Sequence, residues 1–154
     1  MKLSVRRLTT AACIAALYAG LTLLTAPIAF GAVQLRFAEA LCILPYFTPA
    51  AIPGLFVGCL VANLASPMGA ADLIVGSLAT LLAAVVSRFL PKYLVPLPAV
   101  IFNAILIGLL LHLTAGLPLW ASMGQIALEQ GIACYGLGIP LMLLLETRKD
   151  KIFQ

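Results

Sequence analysis

Gln34, Arg36, Glu39, Asn63, Asp72, Asn103, Gln125 and Glu129 stand out because nearly everything around them is apolar. Their chemistry is that of recognition. Carboxylates accept hydrogen bonds, a guanidinium donates them, and carboxamides do both. An ionisable group inside a bilayer costs at least about 2.5 kcal/mol, so it is kept mostly where it does a job. Glu129 lies nine residues after Trp120, about 13 Å deeper along a helix. Gln125 is one turn above it, and Ala133 and Gly136 continue the stripe below. That stripe should face the interior of a helical bundle, as should Asp72, Gly76, Thr80 and Ala83. Arg36 and Glu39 are three apart and placed to pair on one face. Asp72 has an alternative role as the cap of the helix it begins. Asn103 sits among apolar neighbours and needs an internal partner. His112, nine residues further on, points to the opposite face, since nine residues turn a helix by about 900°.

Other chemistries are poorly supported. The four cysteines Cys13, Cys42, Cys59 and Cys134 form no Cys-x-x-Cys pair, and His112 is the one histidine. Neither a disulfide, a metal site nor a cofactor is expected. No Gly-x-x-x-x-Gly-Lys-Ser/Thr motif is present, so the sequence has no means to hydrolyse ATP itself. An enzyme would need several convergent catalytic groups, and none is evident.

The elements that must carry these residues are membrane helices. Charged residues make up 9% of the 154 and hydrophobic ones 64%, with a mean hydropathy of +1.16. A soluble domain is about a quarter charged. At about 20 residues per crossing, the chain allows six spans with short loops, forming a single membrane-embedded domain over residues 1–154. The apolar segments run from about 8–30, 38–47, 52–65, 72–90, 94–115 and 121–145. The second and third are short for a bilayer and must tilt, thin it locally or stop within it. The start, with its basic residues and long apolar run, reads as a retained first helix rather than a cleaved leader. With the N-terminus inside, the inner segments hold Lys2, Arg6, Arg7, Arg88, Lys92, Arg148, Lys149 and Lys151, and only Arg36 falls outside. Basic residues favour the cytoplasmic side, so both termini are expected there. The net charge of +4 is then accounted for without nucleic acid.

Small residues mark where helices meet. In the first span, Ala11, Ala15 and Ala19 recur every four residues, as do Ala12, Ala16 and Gly20. In lipid, close approach at small residues is what favours helix pairing. Gly54, Gly58 and Ala62 make a similar stripe on the third span. That stripe reads as packing within the chain, whereas the broad face on the first span is equally suited to a partner protein.

The runs Gly31-Ala-Val-Gln34-Leu-Arg36-Phe-Ala-Glu39, Gly54-Leu-Phe-Val-Gly58-Cys-Leu-Val-Ala-Asn63 and Asp72-Leu-Ile-Val-Gly76-Ser-Leu-Ala-Thr80 resemble the QueT-type membrane proteins. Glu129 with Cys134-Tyr135 extends the match to the last helix. The resemblance implies a substrate-binding subunit (S component) of an energy-coupling factor (ECF) importer in a bacterial plasma membrane. It implies an all-α bundle of six transmembrane helices with both termini cytoplasmic. The implied partners are a transmembrane coupling subunit, two cytoplasmic ATPases and a queuosine precursor, a 7-deazaguanine base, as substrate. The eight polar residues named first would then bind substrate. Ala11, Ala12, Ala15, Ala16 and Ala19 would meet the coupling subunit. Rival readings are an S component for a vitamin or another base, and a stand-alone small-solute carrier.

Overall fold

The computed structural model describes residues 4–152, so Lys2 lies outside the described residues, and the side chain of Lys151 is not described. All regular structure in it is helical. We label the main elements α1 (Val5–Leu24), α2 (Phe37–Phe47), α3 (Ala51–Asn63), α4 (Ala70–Ser87), α5 (Leu97–Ala115) and α6 (Leu119–Glu146). Single helical turns at Ala26–Ala29 and Lys149–Ile152 follow α1 and α6. Taking Ala26–Ala29 as an appendage of α1, the helical runs among the described residues number seven rather than the expected six.

Four helices are long and apolar enough to cross a membrane: α1, α4, α5 with its leading turn Lys92–Leu94, and α6. The first span is shorter than the 8–30 expected. It stops at Leu24, and Pro27 opens the next turn, where its missing N–H costs nothing. Helices α2 and α3 are short, as expected. The 13 residues of α3 rise about 20 Å, against a hydrocarbon core of about 30 Å. Helix α2 begins as a 3-10 stretch, Phe37–Ile43, before the α-turn Leu44–Phe47. Seven residues is long for a 3-10 helix, which usually runs three or four. Helix α6 contains a π-helical stretch, Ile132–Leu137.

Helices α1, α3, α4, α5 and the first half of α6 pack as successive neighbours. Helix α2 is wedged between α1 and the second half of α6, its 3-10 stretch lying against the π stretch. The main apolar core is shared by all six helices, with Tyr18, Ile43, Leu55 and Met142 among its most enclosed side chains. The turns are made by glycine where required. Gly69 starts α4 at φ +62° and Gly116 ends α5 at φ +67°, a left-handed backbone that glycine adopts without a Cβ clash.

The small-residue stripe of α1 divides in two. Ala11 and Ala15 face α3, where a Cβ on Gly54 would lie 2.8 Å from the Ala11 carbonyl and one on Gly58 would lie 2.8 Å from that of Ala15. Ala19 is buried, while Ala12 and Ala16 are exposed. The partner-facing role expected for Ala11, Ala15 and Ala19 is therefore corrected to internal packing. A face one residue round the helix stays open.

Basic residues gather at one end of the bundle. Arg88, just after α4, donates to the Pro45 and Tyr46 carbonyls of α2 at 3.0 and 3.2 Å. Lys92, before α5, forms a salt bridge with Glu146 at the end of α6. Arg6 and Arg7 lie beside Thr48.

Gly58→Ala should destabilise the protein by about 1–3 kcal/mol, the usual cost of overpacking a tight contact. Gly20→Ala, with open space at its Cβ position, should not. Thermal unfolding of the purified variants in detergent measures the difference.

Candidate functional site

At the end of the bundle away from the basic cluster, a polar network is buried among α1, α2, α3 and α4. Arg36 immediately precedes α2 and is buried. Its Nη2 reaches Asp72 Oδ2 at 3.0 Å, and its Nη1 donates to Asn63 Oδ1 at 3.2 Å. Asn63 Nδ2 in turn donates to the Asp72 carbonyl at 3.0 Å, and Ser66 Oγ donates to Asp72 Oδ2 at 2.7 Å. The end of α3, the turn after it and the start of α4 are thus tied to the segment before α2. Gly76 makes room for this. A Cβ there would sit 2.8 Å from both Asn63 Nδ2 and Asp72 Oδ1. The Arg36 guanidinium also stacks over the Phe30 ring at 5.1 Å.

Two expectations are corrected here. Arg36 pairs with Asp72 rather than with Glu39, because Arg36 precedes the helix with extended backbone (φ -94°, ψ 105°) and so does not share a helical face with Glu39. Asp72 does not cap α4. Gly69 holds the N-cap position, and Asp72 lies inside the first turn with its carboxylate turned to Arg36.

Glu39 meets α1 instead. Tyr18 OH donates to Glu39 Oε1 at 2.5 Å. Below this pair is a cavity of about 10 Å³ lined by Tyr18, Glu39, Cys42, Thr80 and Asn103, among others. Its volume is that of about one water molecule. Asn103 is 4% exposed and its Nδ2 has no protein partner. The internal partner expected for Asn103 is thus missing among the described residues, though it lines the same small cavity as Glu39 and Thr80. Thr80 Oγ1 and Asn63 Nδ2 both reach Cys59 Sγ, at 3.3 and 3.4 Å, which links the cavity to the ion pair. His112 is exposed, with Nδ1 2.7 Å from the Leu117 carbonyl, on the far side of α5 from Asn103.

A second group lies on α6. Gln125 Nε2 donates to Glu129 Oε1 at 2.9 Å and to the Ala32 carbonyl at 2.8 Å. It therefore ties the connection after α1 onto α6. Glu129 is 5% exposed, and its Oε2 is buried without a protein partner. Beside it opens a shallow cleft of about 630 Å³, walled by Ala32, Val33, Leu128 and Ile132. The expected stripe holds only in part. Glu129 and Ala133 are buried, but Gln125 and Gly136 are exposed. The π stretch adds residues to the turn, so that Gly138 packs inward against Ala40 in place of Gly136. Gln34 is half-buried and makes no hydrogen bond to the protein.

The structure thus brings Arg36, Asn63 and Asp72 into direct contact. It puts Glu39 and Asn103 on one cavity, and it pairs Gln125 with Glu129. Tyr18, Cys59 and Ser66 belong to the network and were not singled out by the sequence. Tyr18 carried a usable signal, because a mid-span phenol buried in a helix face needs a hydrogen-bond partner.

An all-helical apolar bundle with several helices long enough to cross a bilayer is the architecture of a multi-pass membrane protein. The QueT transporter profile matches residues 8–147, and the chain belongs to that family. It is a transport protein. No curated protein and no solved structure matches the chain.

Asp72→Asn should lower stability by about 3–5 kcal/mol, because it strands the buried Arg36 charge. Adding Arg36→Met should recover part of that loss. A double-mutant cycle by thermal or chemical unfolding measures both.

Proposed function

We propose that this chain is the S component of an ECF importer, capturing a queuosine precursor of the 7-deazaguanine class at the outer face of a bacterial plasma membrane. In this reading it forms one membrane-embedded unit with both termini cytoplasmic. The gathering of Arg6, Arg7, Arg88, Lys92 and Arg148 towards one end supports that orientation, since basic residues favour the cytoplasmic side. ATP hydrolysis belongs to two partner ATPases, reached through a transmembrane coupling subunit.

One observation carries the substrate assignment. The buried network contains two carboxylates but one cation, and Arg36 is committed to Asp72. Glu39 is left with a neutral phenol as its partner. A buried carboxylate without a cation is costly, and an aminomethyl-bearing base offsets that cost by bringing a positive charge. Asn103 and Thr80 stand on the same cavity to hydrogen-bond the ring. Glu129 Oε2 is a free acceptor for ring N–H donors, of the charge-assisted kind that is strongest. Arg36, Asn63 and Asp72 form the wall, and Gln34 and Gln125 border the connection that must move to admit a ring. A cavity of about 10 Å³ cannot hold a heterocycle, so α2 and the segment before it open to accept it.

The exposed Ala12 and Ala16 face of α1 is the contact for the coupling subunit in this proposal. It presents small side chains outward, where close approach of another helix is favourable.

Calorimetry with the purified chain should find the aminomethyl 7-deazaguanine bound at least about tenfold more tightly than its neutral nitrile counterpart, since charged hydrogen bonds contribute about 1.5–3 kcal/mol. Glu39→Gln should erase that preference, and Glu129→Gln should weaken both ligands. Equal affinities in the parent protein would reject the role of Glu39. Ala16→Trp should abolish co-purification with the coupling subunit and leave ligand binding intact. Loss of both together would show that this face is needed for folding.

A further inference from the structure

Helix α1 and the second half of α6 are held apart by α2, and the gap between them is a groove of about 680 Å³. Its walls are almost wholly apolar: Cys13, Ile14 and Leu17 from α1, Leu41 from α2, Leu141 and Leu145 from α6. At its mouth the groove meets a second cavity of about 460 Å³, lined by Arg7, Thr48 and Pro49. Arg6 and Thr10 line both, so the two adjoin along the start of α1. The mouth is polar and basic. Arg6 and Arg7 enter no ion pair, and no carboxylate lines either cavity, among the described residues.

We propose that this composite groove is a binding site for an anionic phospholipid, with the phosphate at Arg6, Arg7 and Thr10 and one acyl chain along α1 towards Leu17. The dimensions fit one leaflet. From Val5 to Leu17 is twelve residues, about 18 Å of helix, and half of a 30 Å hydrocarbon core is about 15 Å. The order of chemistries fits as well. Cationic groups stand where a headgroup lies, hydroxyls come next, and hydrocarbon fills the rest. A basic pocket between membrane helices is a recognised way to hold an anionic headgroup. A zwitterionic lipid would fill the apolar part equally well but would gain much less from two unpaired arginines. The site is separate from the substrate network and from the Ala12–Ala16 face, which lies beside the groove on α1.

The test is native mass spectrometry of the full chain, purified in detergent and titrated with dioleoyl phosphatidylglycerol and dioleoyl phosphatidylcholine in competition. The expected result is at least about tenfold preference for phosphatidylglycerol, lost in the double variant R6Q/R7Q and retained in Lys149→Gln, whose side chain lines neither cavity. Thermal unfolding without added lipid should be the same for all three proteins, as these residues are exposed. Absence of preference in the parent chain, or its persistence in R6Q/R7Q, would mean that only unspecific boundary lipid is bound. Equal loss in Lys149→Gln would assign the effect to general surface charge and overturn the site. A photo-crosslinker at Leu141 in cells should capture lipid, and capture of a polypeptide there would also overturn it.

Discussion

Arg36 is a guanidinium enclosed in apolar surroundings, and it cannot be deprotonated to escape the cost. Its charge has to be answered by fixed partners, and those partners come from distant parts of the sequence. Asp72 lies 36 residues away and Asn63 27 residues away. Satisfying one side chain therefore fixes the segment before α2, the end of α3 and the start of α4 at once. Ser66 and the Asp72 carbonyl complete the arrangement, and Asp72 Oδ1 is left buried without a hydrogen-bond partner among the described residues. Such a network is rigid when satisfied and costly when broken. In the proposed function it is the fixed wall of the site.

The parts suited to move are the irregular ones. A seven-residue 3-10 stretch and a six-residue π stretch are both uncommon, and π segments inside helices recur at functional positions. Here the two pack on each other. Glu39 lies on the first, and Glu129 stands three residues before the second. Cys134 Sγ approaches the Glu39 carbonyl at 3.5 Å across the contact. Neither stretch has ideal backbone hydrogen bonding, so each can change register at lower cost than an α-helix. The carboxylates without a cationic partner thus stand on the yielding side of the site, and the neutralised one stands on the rigid side.

Much of this was legible in the sequence, because lipid imposes simple rules. Apolar length located the helices, breakers such as Pro67 and Gly116 located the turns, and scarcity of charge singled out Arg36, Glu39, Asp72 and Glu129. The pairing was not legible. Reading Arg36 with Glu39 assumed that the helix includes Arg36, whereas Arg36 precedes it with extended backbone, and nothing local in the sequence announces that start. The same holds after Gly131, where the π stretch turns Gly136 outward against the expectation of a continuous stripe. Asn103 was correctly given an inward face, since 3.6-residue periodicity is obeyed in the regular α5. Periodicity works where the helix is regular and fails where it starts late or changes pitch.

The division of α1 shows why spacing alone could not separate inside from outside. Two four-residue stripes of small side chains lie about 100° apart on that helix, and both have the composition that favours close approach in lipid. What separates them is α3, whose Gly54 and Gly58 let it come within van der Waals contact of the Ala11 and Ala15 backbone. Once α3 takes that face, Ala12 and Ala16 are turned away from it. The following residues, Cys13 and Leu17, are then left over the groove that α2 holds open. A single short helix, placed by its glycines, therefore determines three surfaces of α1: one packed, one small and flat, and one apolar and concave. Each has different chemistry, and it is that difference on which the proposals of a protein partner for the second and a lipid for the third rest.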